Sequence, residues 1–203
     1  LKLSRYVFLL SSICFIPMLA YSREILVHWM GYDFAQRGWL VLFWSSLTFY
    51  LITLTMVPGL VGLGLGKPKY NAIFSFLTAV INLIFVYPLT KKWGVEGAAF
   101  ALFLSSLQAP FAIAFITRRV VNVPIKEYFG FVFGKFLLME GLIFSLFYFF
   151  LKNLVVDGLS FLFVVLASFG ILAAVTYFWG IAEEDKAYFK NKFSVLSLSA
   201  RSS

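Results

Sequence analysis

Residues 38–66 read GWLVLFWSSLTFYLITLTMVPGLVGLGLG and contain no charged side chain. A transmembrane helix needs about 20 mostly apolar residues to cross about 30 Å of hydrocarbon. A membrane β-strand would alternate apolar and polar residues over about ten positions, whereas this stretch is apolar on all faces. A backbone surrounded by lipid must also satisfy its own hydrogen bonds, as a helix does. The stretch therefore predicts a membrane-spanning helix.

The composition of the whole chain has the same character. Of its 203 residues, 62% are apolar and 13% are charged, whereas soluble domains average about 45–50% apolar and about 25% charged residues. A soluble domain of this size cannot hide so much apolar surface. Cys14 is the single cysteine, so an internal disulfide is impossible. These counts exclude a soluble enzyme, a disordered chain and a disulfide-stapled secreted domain, and they leave an integral membrane protein.

Long apolar stretches predict six membrane spans. They lie at residues 6–22, 38–66, 70–90, 97–117, 131–151 and 158–182, and only the fifth contains charged residues, Lys135 and Glu140. The predicted fold class is therefore all-α, a polytopic transmembrane helical bundle. We expect a four-span part at residues 1–117, two additional C-terminal transmembrane helices at residues 118–182 and a tail at residues 183–203.

The basic residues predict the orientation of these spans. The chain carries 17 Lys and Arg against 9 Asp and Glu, a net charge of +8. Most of the Lys and Arg residues fall on the side that also holds both chain ends, and that side is expected to be cytoplasmic. Lys91 and Lys92 lie on the other side and oppose the rule. Since topology explains the positive charge, we expect no nucleic-acid partner.

Four polar residues inside the predicted spans are candidates for a substrate or ion path. Ionisable groups within a span are costly and often functional. Lys135 can instead extend to the headgroups, and Glu140 can be a neutral carboxylic acid bonded to a neighbouring helix, because apolar surroundings disfavour its charged form. Asn82 and Gln108 either form hydrogen bonds between helices or line a hydrated cavity.

No arrangement typical of catalysis occurs in the sequence, so we expect no enzyme activity, no metal and no cofactor. The stretch from Gly62 to Lys67 differs from a phosphate-binding loop because Pro68 follows the lysine. Its glycines are expected to end a helix in a tight turn. Gly130 and Gly134 have a spacing that allows close helix packing.

A resemblance to a known family rests on residues 82–101, NLIFVYPLTKKWGVEGAAFA. This segment resembles the hallmark of the polysaccharide flippases of the multidrug/oligosaccharidyl-lipid/polysaccharide exporter superfamily, a MATE-like group. In that family a helix that bears an Asn is followed by a Gly-x-x-Gly-Ala-Ala turn. Residues 24–34, EILVHWMGYDF, and residues 64–72, GLGKPKYNA, are similar to other parts of the same family.

The resemblance implies that the chain corresponds to helices nine to fourteen of a fourteen-helix flippase, with residues 1–117 in its C-terminal lobe. It implies flipping of an undecaprenyl-diphosphate-linked oligosaccharide across the bacterial cytoplasmic (inner) membrane, for O-antigen or another surface polysaccharide. Membrane lipid and the N-terminal lobe of the same protein are then its other partners. Because the chain begins with Leu1 instead of Met, we expect it to be part of a longer protein. Only Asn82, Gly94, Gly97, Ala98 and Ala99 match the family motif.

Three alternatives stay open. A drug/cation antiporter of the same superfamily usually has twelve helices, and the two spans after the Gly-Ala-Ala turn argue against it. A membrane enzyme, such as a polyprenyl-linked glycosyltransferase or ligase, would need more carboxylates or a longer outer loop than Asp33, His28 and Arg37 provide. A bundle subunit without transport activity is the third.

Overall fold

The computed structural model describes residues 1–155 and 157–180, and every regular element within that part is helical. The tail predicted at residues 183–203 lies outside it. The α-helices are α1 (Lys2–Ala20), α2 (Ser22–Met30), α3 (Tyr32–Gly64), α4 (Pro68–Ser106), α5 (Ala109–Ile116), α6 (Ile125–Val132), α7 (Gly134–Phe149) and α8 (Gly158–Val175). Helical turns of other types cover Thr117–Val121, Leu151–Leu154 and Thr176–Gly180.

Five helical stretches in the described part are long and apolar enough to cross a membrane. They are Lys2–Ala20, Tyr32–Gly64, Pro68–Val121, Ile125–Leu154 and Gly158–Phe178. The third is 54 residues long, more than twice what one crossing needs. The all-α fold class is thus confirmed, and the apolar helices are consistent with a multi-pass membrane protein.

The longest stretch folds back on itself at Gly94. This residue has φ 61° and ψ −138°, outside the helical region and suited to glycine. A β-carbon on Gly97 would overlap the carbonyl oxygen of Leu89, although residues eight apart in a straight helix lie about 12 Å apart along its axis. Further along the two arms, the rings of Tyr70 and Phe115 approach to 5.4 Å. The two arms therefore run antiparallel. When each arm is counted separately, the described part has six long apolar segments.

The helices α1 and α3 organise the packing. Helix α3 contacts α1, α2, α4 and α5, and α1 also contacts α7 and α8. One apolar cluster surrounds Phe8 and Phe133, and a second surrounds Tyr21 and Phe147. The Tyr21 hydroxyl lies 2.8 Å from Ser168 Oγ, which joins α8 to the junction of α1 and α2 in the core.

The structure corrects three expectations from the sequence, two of which concern helix bounds and one a glycine pair. The fourth predicted span breaks after Ser106, because Pro110 occupies the first turn of a new helix, α5. The fifth begins at Ile125 instead of residue 131, directly after Pro124, and breaks at Phe133. A β-carbon on Gly130 or Gly134 would meet no atom within 4 Å, so this glycine pair does not mark a close helix approach in the described part.

Candidate functional site

A cavity of about 450 Å³ lies between α3, the first arm of α4 and α5. Part of its wall is apolar, with Ile52, Met56 and Leu60 from α3. The polar lining residues are Thr55, Asn71, Ser75, Thr78, Ser106 and Gln108, and the remaining lining residues are apolar. Amides and hydroxyls give this cavity hydrogen-bonding capacity at some positions of its wall, and the other positions form an apolar surface.

The polar side of the cavity follows one face of α4. Asn71, Ser75, Thr78 and Asn82 are spaced by four, three and four residues, which places them on a single helical stripe. The Asn71 amide donates a hydrogen bond of 2.9 Å to the Gly59 carbonyl of α3. Asn82 lies beyond the lining residues on the same stripe, and its buried Nδ2 has no hydrogen-bond partner among the described residues.

Gln108 closes the cavity at the break between α4 and α5. Its Nε2 donates to the Phe74 carbonyl at 2.7 Å and also contacts Thr78 Oγ1. Its Oε1 is buried and accepts no hydrogen bond within residues 1–155 and 157–180. Buried acceptors are usually satisfied. The amide oxygen is therefore an unsatisfied acceptor, among the described residues, on a side chain that lines the cavity.

Basic residues gather at one end of this cavity. The ends of α3 and α5 meet there, because a β-carbon on Gly62 would contact Val120 at 3.8 Å and Ile116 at 3.9 Å. The basic residues nearest in sequence to these contacts are Lys67, Lys69, Arg118 and Arg119; all four are exposed, and none is among the described lining residues. Their combined charge makes this end attractive to anions.

A second polar cluster holds Glu140, which is 8% exposed. The Tyr50 hydroxyl donates a hydrogen bond of 2.7 Å to Glu140 Oε2, and Ser12 Oγ contacts Glu140 Oε1. The two hydroxyl oxygens lie 2.9 Å apart. Ser12 also has the Phe8 carbonyl within 2.8 Å, so its single proton has two acceptors. The cluster joins α1, α3 and α7 at one buried point.

The structure separates the predicted site residues into two groups. Gln108 lines the cavity and Asn82 extends its polar stripe, whereas Glu140 belongs to the cluster on the opposite face of α3. Successive helical residues are rotated by about 100°, so Tyr50 points away from the Thr55 side of that helix. Lys135 lies in α7, but its side chain is outside the described part.

Ser12 and Tyr50 were missed by sequence reasoning. Hydroxyls are common in membrane spans, and their partner Glu140 is 128 residues from Ser12 and 90 from Tyr50. The spacing of Asn71, Ser75 and Thr78 indicates in the sequence that these residues share one helical face. Within the described residues, no group of three or more His, Cys, Asp or Glu side chains is placed to hold a metal ion.

Comparisons of the chain with protein-family models, with curated proteins and with solved structures found no match.

Proposed function

We propose that the chain is part of a membrane transporter that flips undecaprenyl-diphosphate-linked oligosaccharide across the bacterial cytoplasmic membrane. The observation that carries the proposal is the cavity of about 450 Å³ with polar groups in a largely apolar wall, together with the exposed basic residues that lie close in sequence to one end of its lining. Such a substrate has three chemically different parts, which are a charged diphosphate, a polar glycan and an apolar prenyl chain. A carrier for it needs surfaces that suit all three.

Each part of the substrate has a matching surface in this arrangement. Arg118 and Arg119 suit the diphosphate, because guanidinium groups form two-pronged hydrogen bonds with phosphate oxygens. The hydroxyls and the free Gln108 acceptor suit sugar hydroxyls. The apolar wall at Met56 and Leu60 suits the prenyl chain. The resemblance at residues 82–101 supports the same substrate class, and it brings in the N-terminal lobe as the other half of the transport path.

We place Glu140 and Lys135 on the ion path of the same carrier. An ionisable group inside a membrane span is a candidate for ion or proton transfer, and the Ser12–Tyr50–Glu140 cluster gives the carboxyl group fixed hydrogen-bonding partners. The test is a Glu140→Gln, Lys135→Met double variant of the intact gene product. Transport at the wild-type rate by this variant would show that neither residue lies on the path.

A strain deleted for the gene that encodes this chain tests the transport function. We expect undecaprenyl-diphosphate glycan to accumulate on the cytoplasmic face and surface polysaccharide to be lost. The wild-type gene should restore both, and an Arg118→Gln, Arg119→Gln variant should not. Lys126→Gln is the matched control, because Lys126 is exposed and lies on the same predicted side.

Two other outcomes would contradict the proposal and favour its alternatives. Unchanged glycan lipids together with a new sensitivity to cationic drugs would favour the antiporter. Glycan lipids that reach the outer face but stay unligated would favour a membrane enzyme.

A further inference from the structure

A second recess lies at the fold-back of α4, outside the polar cavity. It has a volume of about 290 Å³ and is lined by Leu40, Trp44, Trp93, Glu96 and Phe100. Aromatic side chains therefore form most of its wall, and among the described lining residues the Glu96 carboxylate is the single charged group. None of these residues belongs to the cavity assigned to the transported substrate.

The aromatic rings are fixed by contacts with one another. Trp44 lies 4.7 Å from Phe100 and 4.9 Å from Phe103, measured between ring centroids. Trp93 lies 5.9 Å from Phe100 with an interplanar angle of 66°. The fold-back at Gly94 brings these rings together, because it reverses the chain between Trp93 and Phe100. The recess is thus built by tertiary structure, and Trp93 stays 48% exposed beside it.

Opposite charges flank the Trp93 indole without neutralising each other. Lys92 Nζ lies 5.0 Å from the Trp93 ring centroid, and Glu96 lies in the recess on the C-terminal side of the turn. Among the described residues, Lys91, Lys92 and Glu96 form no ion pair. These lysines are also the pair that opposes the positive-inside pattern, so topology alone does not explain them.

We propose that this recess binds the headgroup of a zwitterionic phospholipid that carries an ammonium group. Aromatic faces attract ammonium groups, most strongly where water is excluded, and Glu96 supplies the counter-charge. Lys92 Nζ lies over the ring of the lining residue Trp93, so this lysine and its neighbour Lys91 would meet the phosphate of the same headgroup. Basic groups at the membrane surface attract lipid phosphates. The charge pattern of the recess thus matches both ends of the headgroup.

Lipid retention by the purified full chain tests this inference without any transport step, so the result is independent of the proposed function. The chain is extracted in mild detergent, supplied with equal amounts of phosphatidylethanolamine and phosphatidylglycerol, and measured by native mass spectrometry. We expect phosphatidylethanolamine to be retained about tenfold over phosphatidylglycerol, since cation–π contacts and a counter-charge favour the ammonium headgroup. Glu96→Gln should abolish this preference.

Matched variants keep the result interpretable. Glu127→Gln removes the same charge from an exposed position on α6 and should leave the preference intact. Trp93→Leu, at a half-exposed position, should weaken it as Glu96→Gln does. A Lys91→Gln, Lys92→Gln variant should lower the retention of both lipids. Equal retention of the two lipids by the wild-type chain, or an unchanged preference in Glu96→Gln, would overturn the inference.

Discussion

The α-carbon of Gly97 lies against the carbonyl oxygen of Leu89, so closely that a β-carbon on Gly97 would overlap that oxygen. The two residues belong to opposite arms of α4, which reverses direction at Gly94. Only glycine permits this approach of one backbone to the other. The same contact fixes where the second arm begins and thereby positions Gln108, at its far end, against Phe74 and Thr78.

Gly97→Ala should destabilise the protein. The added methyl group meets backbone, which cannot move aside as a flexible side chain can, and overpacking of this kind costs about 1–3 kcal/mol. Reversible unfolding in mixed detergent micelles measures the difference. Gly130→Ala is the control, because a β-carbon there meets no atom of the described residues within 4 Å. Equal stability of Gly97→Ala and the wild type would mean that the arms do not meet at Leu89.

Tyr50 and Glu140 should be energetically coupled. The Tyr50 hydroxyl donates to Glu140 Oε2, and interhelical hydrogen bonds in membrane proteins contribute about 0.6 kcal/mol on average, with values up to about 1.7 kcal/mol. We expect Tyr50→Phe to lower the free energy of unfolding by more in the wild type than in a Glu140→Leu background. A double-mutant cycle measures this coupling. Strictly additive effects would show that the hydrogen bond does not stabilise the bundle.

The long apolar helices could be predicted from the sequence because a helix that crosses the bilayer needs a minimum length of apolar residues. The run at residues 38–66 predicts α3 nearly in full, with a start a few residues late, since Asp33 and Arg37 lie within its first turns. Breaks were harder to predict. The α4–α5 break depends on Pro110 and on the loss of helical hydrogen bonding near Gln108. The break at Phe133 lies directly before Gly134, a glycine whose spacing from Gly130 predicted helix packing instead of a break.

Some residues of the candidate site were predicted one by one, but their arrangement was not. Glu140, Asn82 and Gln108 stand out because each is polar in an apolar run. Their grouping depends on which face of α3 each approaches, and that is set by packing between helices far apart in sequence. For this reason the sequence marks these residues only as candidates for a substrate or ion path, whereas the structure places Gln108 at a cavity and Glu140 in a separate cluster.

Two contacts join connections that are far apart in sequence, and they indicate that these connections lie on the same side of the membrane. Glu24 Oε1 lies 3.3 Å from Lys152 Nζ, and the His28 and Phe161 rings stack at 4.5 Å. With six spans and both chain ends on the cytoplasmic side, the connections that contain Glu24 and Lys152 are both expected on the outer side, as is the connection that contains Lys91. A membrane-impermeant maleimide should therefore label cysteines at positions 33 and 91 in intact cells.

The same labelling experiment compares positions expected on the two sides of the membrane. In a Cys14→Ser background, which removes the single native cysteine, Lys67→Cys and Lys126→Cys should react only after the membrane is permeabilised. Asp33→Cys and Lys91→Cys should react without permeabilisation. Reaction of position 67 together with position 91 in intact cells would contradict the predicted orientation.

Transbilayer movement of a lipid-linked oligosaccharide in proteoliposomes tests the central claim most directly. The intact gene product is reconstituted, and an impermeant glycosidase reports how much glycan has crossed. We predict movement well above that in protein-free liposomes, a rate several-fold lower for Gln108→Met, and an unchanged rate for the neighbouring Leu107→Met, whose side chain is exposed. Movement no faster than in protein-free liposomes would contradict the proposed function.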